Sequence, residues 1–242
     1  MKYLFVFVIL MSSSYPKDFL SSEKKVHLIE LFSSEGCSSC PQAEKWLNHF
    51  KESDLLWTRI IPIELHVTYW DDLNWLGSQW KDPFSQKGFT ERQKEYHLIR
   101  KKGVYTPQIV IDGEISRNYN LETLDNKKVG VLKASFNEKT NQAKLFFSSI
   151  AAKPSFCEGS YIHGGVISNI RGGENKGKRL EHEFISGHIA KAKASKNKSQ
   201  YTCDLTLKRT FRNKKLKFKK QGVVFWIKDK DHNVVQSVGG YL

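Results

Sequence analysis

The chain has 242 residues and a formal net charge of +14, and 39% of its residues are hydrophobic, including six Trp and fifteen Phe. This content supports a packed core and excludes a globally disordered chain. Four cysteines are too few for a disulfide-dense scaffold. Residues 1–125 carry 15 Lys and Arg against 17 Asp and Glu, whereas residues 126–242 carry 24 against 8. The change from −2 to +16 predicts a boundary near residue 125 and a basic second half.

The N-terminus has the pattern of an export signal. Lys2 gives a positive start, residues 3–11 form a short apolar core, and residues 12–14 are small serines that suit cleavage. The apolar stretch is too short to span a bilayer as a mature helix. We therefore predict a signal peptide over residues 1–22 and a mature chain without a transmembrane segment. The alternative is that the segment is a buried strand or helix of the fold.

The next predicted elements are a strand, a helix and a second strand. Residues 26–32 form a short apolar run that reads as a buried strand. The tetrad Cys37-Ser38-Ser39-Cys40 follows and leads into a helix, which has apolar residues at helical spacing and Pro41 in its first turn. Residues 60–67 form the second strand, and Pro62 predicts that this strand lies at a sheet edge.

A second helix is predicted from Thr90 to about Lys102, before the pair Thr106-Pro107 and a strand over residues 108–111. A short returning strand and a last helix starting near Asn120 complete the first half. The order β-α-β-α-β-β-α is that of a minimal thioredoxin-like domain. We therefore predict an α/β thioredoxin-like domain over residues 23–125.

The second half has the pattern of a smaller all-β domain. Short strand-like runs separated by polar turns are typical of a β-sandwich. We predict this sandwich-like, basic domain over residues 126–242, with strands at 129–136, 142–149, 161–168, 183–194, 201–207, 223–228 and 234–241.

The cysteine tetrad carries the strongest chemical signal. A helix N-terminus presents unpaired N–H groups and a partial positive charge, which stabilise a thiolate. Cys37 is therefore the predicted catalytic nucleophile, exposed to solvent, and Cys40 the thiol that resolves a mixed disulfide. Two other interpretations remain open. The pair can be a purely structural disulfide, or it can bind copper(I), which favours soft thiolates.

Other candidate residues surround this pair. Thr106 and Pro107, with Trp70, are predicted to bind a substrate, because a cis proline there would free the Thr106 backbone to pair with a peptide. Pro107 can also be an ordinary strand-entry proline, and the aromatic residues near Trp70, including Tyr69, Trp75 and Trp80, can simply cover the sheet. His66 can relay protons or bind metal, although such a histidine is more often structural.

No metal site, nucleotide, flavin or other organic cofactor is predicted. A zinc site at the cysteine pair would need two more ligands, and no second Cys-x-x-Cys or His-x-x-x-His motif is present. Cys157 and Cys203 lie in the second half, and their spacing leaves open whether they form a disulfide.

Several of these motifs resemble an exported bacterial family called domain of unknown function 1223. The resemblance covers nearly the whole mature chain and is carried by residues 30–41, His66-Val67-Thr68-Tyr69-Trp70-Asp71, Arg92-Gln93 with Tyr96, Tyr105-Thr106-Pro107-Gln108 and the loop 171–177. It implies a thioredoxin-like domain with a C-terminal β-rich domain and no established substrate. Thr68 departs from the family, which usually has Asp there.

The sequence thus predicts an exported bacterial protein, periplasmic or secreted, that exchanges disulfides with a thiol or disulfide protein through Cys37 and Cys40. The alternative is an envelope protein in which the pair is structural or holds copper(I) and the basic half docks on an anionic surface. Export, and the lack of a recognition motif, argue against nucleic acid as a partner.

Overall fold

The computed structural model describes residues 16–72, 79–117, 119–122, 124–198, 200–211 and 216–242. Strands take 45% of these residues and helices 13%. The elements, in chain order, are β1 (Lys17–Leu20), β2 (His27–Ser33), α1 (Cys40–His49), a 3-10 turn (Phe50–Glu52), β3 (Ile60–His66), α2 (Lys87–Arg100), β4 (Gln108–Ile111), β5 (Glu114–Ser116), β6 (Gly130–Asn137), β7 (Gln142–Ser149), β8 (Phe156–Gly164), β9 (Val166–Asn169), β10 (Arg179–His182), β11 (Ile185–Lys193), β12 (Ser195–Asn197), β13 (Gln200–Thr206), β14 (Lys220–Lys228) and β15 (Val234–Tyr241).

The described strands form three sheets. The largest has eight strands in the order β15-β14-β8-β11-β3-β2-β4-β5, and it mixes parallel and antiparallel pairs. A five-stranded sheet has the order β1-β6-β7-β13-β12, and β9 pairs with β10 as a separate ribbon. The sheets are therefore built from strands that are distant in sequence.

The predicted fold class is wrong. An α/β thioredoxin-like domain followed by a smaller sandwich would keep the strands of the first half in their own sheet. Instead, β3 pairs in parallel with β11 at Glu64 and Ile185, and β8, β14 and β15 extend the same sheet. Residues 119–122 are also not helical. The protein is predominantly β-sheet, with large mixed sheets, and the boundary near residue 125 stays a prediction.

The prediction that β3 lies at a sheet edge is also wrong, since β2 and β11 flank it. Pro62 is tolerated there because of where the neighbouring strands pair. Pro62 lies opposite Ile29 of β2, whereas β11 pairs with β3 only at Glu64. Pro62 therefore precedes the residue at which β11 pairs with β3, so its missing N–H removes no hydrogen bond to β11.

Two large hydrophobic cores hold the sheets together. One surrounds β2 and β3, which are buried along their whole lengths. The other lies between the five-stranded sheet and strands β8, β14 and β15, where β6 alternates strictly between buried and half-buried residues. Cys157 of β8 and Cys203 of β13 form a disulfide across this second core. The disulfide therefore joins the two main sheets.

The N-terminal predictions fall only partly on described residues. Residues 1–15, which include the proposed apolar core of the signal peptide, lie outside them. Lys17–Leu20, within the predicted 1–22 segment, forms β1 and pairs antiparallel with β6. In the part of the chain that the structure describes, no helix is long and apolar enough to span a membrane.

Candidate functional site

The Cys37–Cys40 pair lies in the turn between β2 and α1. The Cys37 amide donates a hydrogen bond to the Ser34 carbonyl (3.1 Å), and Cys40 is the first residue of α1. The two cysteines form a disulfide with their Cα atoms 5.4 Å apart. Cys37 is only 1% exposed and Cys40 is fully buried. The expectation that Cys37 is exposed is therefore wrong.

A loop from the second half covers this turn. It connects β9 to β10, comprises residues 170–178, and is called the covering loop below. The Asn175 side chain donates hydrogen bonds from Nδ2 to the carbonyl oxygens of Glu35 (2.9 Å) and Cys37 (2.8 Å). The loop therefore holds the backbone just before the disulfide, which helps to explain why the sulfurs are buried.

Two further contacts fix the covering loop against the cysteine turn. The Ser38 amide donates to Oε2 of Glu174 at 2.8 Å. Gly173 has φ +69, and a Cβ on this glycine would stand 3.4 Å from the Gly36 Cα. That distance is an ordinary contact, so the positive φ is the reason that glycine suits this position.

Trp70 brings together two parts of the predicted site. Its Cβ lies 3.2 Å from the point where a Cβ on Gly36 would stand, so Trp70 packs beside the residue that precedes Cys37. Its indole Nε1 donates to Oγ1 of Thr106 at 2.8 Å. The Thr106–Pro107 peptide bond is cis. The structure thus joins Trp70 and Thr106 and connects them to the cysteine turn.

A surface cleft of about 400 Å³ adjoins Pro107. Tyr105 and Tyr119 contribute exposed rings, at 40% and 44% exposure. The cleft is therefore a candidate binding surface beside the cis proline. Its lining residues are Tyr105, Pro107, Ile109, Ser116, Arg117 and Tyr119.

Six buried acidic and histidine side chains meet next to the cysteine turn, and we call them the carboxylate–histidine cluster. Each is at most 3% exposed. They come from the turn after β2, from α1, from β3, from the segment before α2 and from β10. The members are Glu35, Glu44, Glu64, His66, Asp82 and His182.

Both histidines of the cluster lie between carboxylates. Nδ1 of His66 lies 2.6 Å from Oδ2 of Asp82, and its Nε2 lies 2.8 Å from Oε1 of Glu64. Nε2 of His182 lies 3.0 Å from Oε1 of Glu35. Each imidazole therefore has at least one nitrogen hydrogen-bonded to an acid in the interior of the protein.

Burial and mutual proximity shift the pKa values of these groups. Burial alone would lower the pKa of His66 and of His182, but the surrounding carboxylates hold both well above their ordinary value. Burial and the neighbouring Glu64 raise the pKa of Glu44. Within the cluster, the carboxylates therefore favour the charged form of both imidazoles, whereas burial and Glu64 disfavour the charged form of Glu44.

Aromatic residues enclose the cluster. Trp80 donates its indole N–H to Oε2 of Glu35 at 2.7 Å. The Phe84 ring lies 5.3 Å and 5.1 Å, between centroids, from the two imidazole rings. Trp80 therefore supports the buried cluster, while Trp75 lies outside the described residues.

Comparison with known proteins identifies the family. A model for a protein family of unknown function, DUF1223, matches residues 28–228, which include the cysteine turn and β10. The chain belongs to this family. No curated protein matches it.

Two solved structures share the fold of this DUF1223 chain. Protein AGR_C_4864 from Agrobacterium tumefaciens is 16% identical with a TM-score of 0.59, over 92% of this chain and 94% of its own. HBP35 of Porphyromonas gingivalis is 12% identical with a TM-score of 0.56, over 92% of this chain and 76% of its own. At these identities the likeness describes the fold alone.

Sequence reasoning found His66 in this DUF1223 chain but missed its partners. Glu64 and His66 stand two residues apart in an otherwise apolar strand, so both point to the same face, and this signal was available. The contributions of Asp82 and His182 carry no spacing signal, because tertiary contacts alone bring them to His66.

A second group of buried charges lies where the eight-stranded sheet meets α2, and we call it the Arg92 cluster. Arg92 donates to Glu30 (2.6 Å) and to Glu158 (2.8 Å). Tyr96 donates its hydroxyl to Glu30 (2.5 Å), and Lys228 donates to the Tyr96 oxygen (3.0 Å). Two acids thus face two bases, and none of these side chains has a buried nitrogen or oxygen without a partner.

Proposed function

We propose that the protein carries out thiol–disulfide exchange through Cys37 and Cys40 with a polypeptide partner. The observation that carries the proposal is a disulfide between residues three apart, whose second cysteine opens α1, with Trp70 and Thr106 beside it. A thiolate released there would be stabilised by the N–H groups of the first helical turn.

The exchange takes two steps. A partner thiolate attacks Cys37 Sγ and forms a new S–S bond, while the Cys37–Cys40 bond breaks and its electron pair leaves with Cys40. A second partner thiolate then attacks the partner sulfur of this mixed disulfide, and Cys37 leaves as a thiolate. The partner loses two electrons and the cysteine pair gains them, and the reverse sequence reduces a partner disulfide.

Access to the sulfur is part of the proposal. Because Cys37 is buried, the covering loop has to move before a partner can approach. The hydrogen bonds of Asn175 to the backbone before and at Cys37 hold the closed form. The cleft beside Pro107, with the exposed rings of Tyr105 and Tyr119, would then receive the side chains of the partner.

We also propose that the protein is exported, to the periplasm or beyond. The support is that all four cysteines are in disulfides, Cys37–Cys40 and Cys157–Cys203. Structural disulfides persist in oxidising compartments and are rare in the cytosol of mesophiles. The proposed signal sequence at the N-terminus is consistent with this location.

The first test is the reduction potential of the Cys37–Cys40 pair. The chain from Pro16 onward, which keeps β1, is equilibrated in dithiothreitol or glutathione buffers, and free thiols are mass-tagged and located by digestion. A potential of roughly −120 to −270 mV, the span of known exchange proteins, is expected. A value below about −300 mV would indicate a structural disulfide and would overturn the proposal.

A trapping experiment tests the order of attack. The Cys40→Ser variant should accumulate a mixed disulfide at Cys37 with a reporter protein such as insulin, because no resolving thiol remains. The Cys37→Ser variant is the matched control and should accumulate much less. Equal trapping by the two variants would contradict the assignment of Cys37 as the attacked sulfur.

A further inference from the structure

Four members of the carboxylate–histidine cluster present one ligand atom each to a common point. These atoms, from Glu44, Glu64, His66 and His182, all lie within 4.8 Å of one another. Nδ1 of His182 lies 3.4 Å from Oε2 of Glu44 and 3.9 Å from Oε1 of Glu64. A tetrahedral metal with bonds of 2.0–2.1 Å places its ligand atoms about 3.3 Å apart. The two distances from Nδ1 of His182 are close to this value, and the four atoms together would move slightly inward around an ion.

Two atoms at this point are buried without a hydrogen-bond partner. They are Oε2 of Glu64 and Nδ1 of His182, on side chains that are 0% exposed. The 3.4 Å approach of His182 to Glu44 does not have hydrogen-bond geometry. Buried polar atoms are rarely left unpaired, and an ion is one of the few explanations.

The outward-facing atoms of the same side chains, in contrast, are held in place. The other nitrogen of His66 bonds to Asp82, and the other nitrogen of His182 bonds to Glu35. Metal-binding histidines almost always donate their second N–H to a carboxylate or a carbonyl in this way. The outer oxygen of Glu44 accepts a hydrogen bond from Ser33. The cluster thus has the inner and the outer shell of a metal site.

The charges of the cluster are compatible with a bound cation. Four carboxylic acids lie with two histidines in a fully buried space. A histidine binds a metal through a neutral imidazole, so a divalent cation would take the place of imidazole protons rather than add to them. Buried carboxylates are costly unless they are paired or bind a metal, and the ion would provide that pairing.

We propose that Glu44, Glu64, His66 and His182 bind one divalent transition-metal ion of the class that imidazole and carboxylate share, with Zn²⁺ as the representative. Four protein ligands would close the coordination sphere, which is the arrangement of a structural site rather than a catalytic one. The ion would join α1, β3 and β10.

The route from solvent to the site is a cleft of about 500 Å³ between α1 and β10. Glu44 lines this cleft, together with Leu180 and Asn48. Cys40 lies one helical turn before Glu44 on the same face of α1. Metal binding would therefore fix the helix that begins at the disulfide.

The test uses the full untagged chain, stripped of metal with a chelator and then incubated with Zn²⁺, Mn²⁺ or Co²⁺. We expect one Zn²⁺ per chain after gel filtration, measured by elemental analysis, a higher melting temperature, and the visible spectrum of tetrahedral Co²⁺. If the metal-free chain retains none of the three ions, the proposal is overturned.

Variants locate the site. His182→Gln should remove stoichiometric Zn²⁺, and Glu35→Gln, which removes only an outer partner, should weaken binding about 10- to 100-fold. His163→Gln is the matched control, because His163 is also buried with an unpartnered nitrogen but lies outside the cluster. Retention of Zn²⁺ by both His182→Gln and Glu35→Gln would contradict the proposal.

A double variant, Cys37→Ser with Cys40→Ser, separates this site from the cysteine chemistry. It should keep its Zn²⁺ because no sulfur is among the four ligands. Loss of Zn²⁺ from this variant, with retention by His182→Gln, would assign the ion to the thiolates and overturn the site proposed here.

Discussion

The two buried charge clusters of this protein differ in the ratio of acids to bases and in their hydrogen bonding. In the Arg92 cluster two acids face two bases, and every buried side-chain atom has a partner. In the carboxylate–histidine cluster four acids face two histidines, and atoms of Glu64 and His182 have none. The first cluster satisfies its own hydrogen bonds, whereas the second leaves two atoms without a hydrogen bond, which the proposed cation would bind.

The comparison indicates how a structural cluster of buried charged residues can be distinguished from one that binds a ligand. Burial alone does not discriminate, because both clusters are almost fully buried. The ratio of acids to bases and the atoms without hydrogen bonds do distinguish the two clusters. A fold that buries charge normally pairs that charge within the chain. The following predictions rank the two clusters by their response to the loss of one group.

The largest effect is expected from Arg92→Met. Without the guanidinium, Glu30 would keep only the Tyr96 hydroxyl. Glu158 would keep the Trp226 indole and the more distant Lys228. Two buried carboxylates would lose their main counter-charge, so the free energy of unfolding should fall by about 3–5 kcal/mol. Urea unfolding followed by fluorescence measures this. Lys94→Met on the exposed face of α2 is the control and should change stability by less than about 0.5 kcal/mol. A loss below about 1 kcal/mol for Arg92→Met would refute the structural role of the cluster.

The next effect concerns Glu158. Burial would raise its pKa, but Arg92 and Lys228 lower it from the ordinary 4.5 to about 2. The folded state therefore binds this proton more weakly than the unfolded state, and the stabilisation is present above about pH 4.5 and lost as the pH falls toward 2. A shift of this size corresponds to about 3 kcal/mol.

Unfolding of the wild type and of Glu158→Gln, compared at two pH values, measures this contribution. The variant should be less stable than the wild type by about 3 kcal/mol at pH 7. This difference in the free energy of unfolding should be smaller by about 1 kcal/mol at pH 3.5. A gap that does not change with pH would show that the carboxylate charge is not the source of the stabilisation.

A smaller effect is expected from Asn175→Ala in the covering loop, which packs on the cysteine turn beside the carboxylate–histidine cluster. The variant loses two hydrogen bonds to the cysteine turn, worth about 1–3 kcal/mol together. Reduction of Cys37–Cys40 by dithiothreitol should therefore be about tenfold faster or more. Lys176→Ala, at an exposed position of the same loop, is the control. Equal rates for the two variants would exclude gating by this loop.

The smallest effect is expected from Glu44→Gln in the metal-free protein. Burial and Glu64 raise the pKa of Glu44, so its charged form is disfavoured in the fold and a neutral amide removes no stabilising charge. Stability should change by less than about 1 kcal/mol, in contrast to Glu158→Gln. The same substitution should abolish stabilisation by Zn²⁺. A loss above about 2 kcal/mol without metal would mean that both clusters depend on ionised carboxylates alike.

Local patterns in the sequence predicted the local structure well. The strand-like run at 129–136, bounded by a polar turn, and the tetrad before α1 need only neighbouring residues, and both elements are present. The fold class failed because the pairing of Glu64 with Ile185 joins residues 121 positions apart, and no local pattern encodes such a register. The burial of Cys37 was missed for the same reason, since the covering loop comes from residues 170–178.

The parallel pairing of β3 with β11 has a consequence for the biosynthesis of the chain. Until the segment around Ile185 leaves the ribosome, one edge of β3 has no neighbouring strand. During the same interval, Glu64 lacks its neighbour His182, which has not yet been synthesised. Open strand edges template association between nascent or truncated molecules. A fragment ending near residue 125 would therefore be prone to aggregate or to exchange strands with another copy.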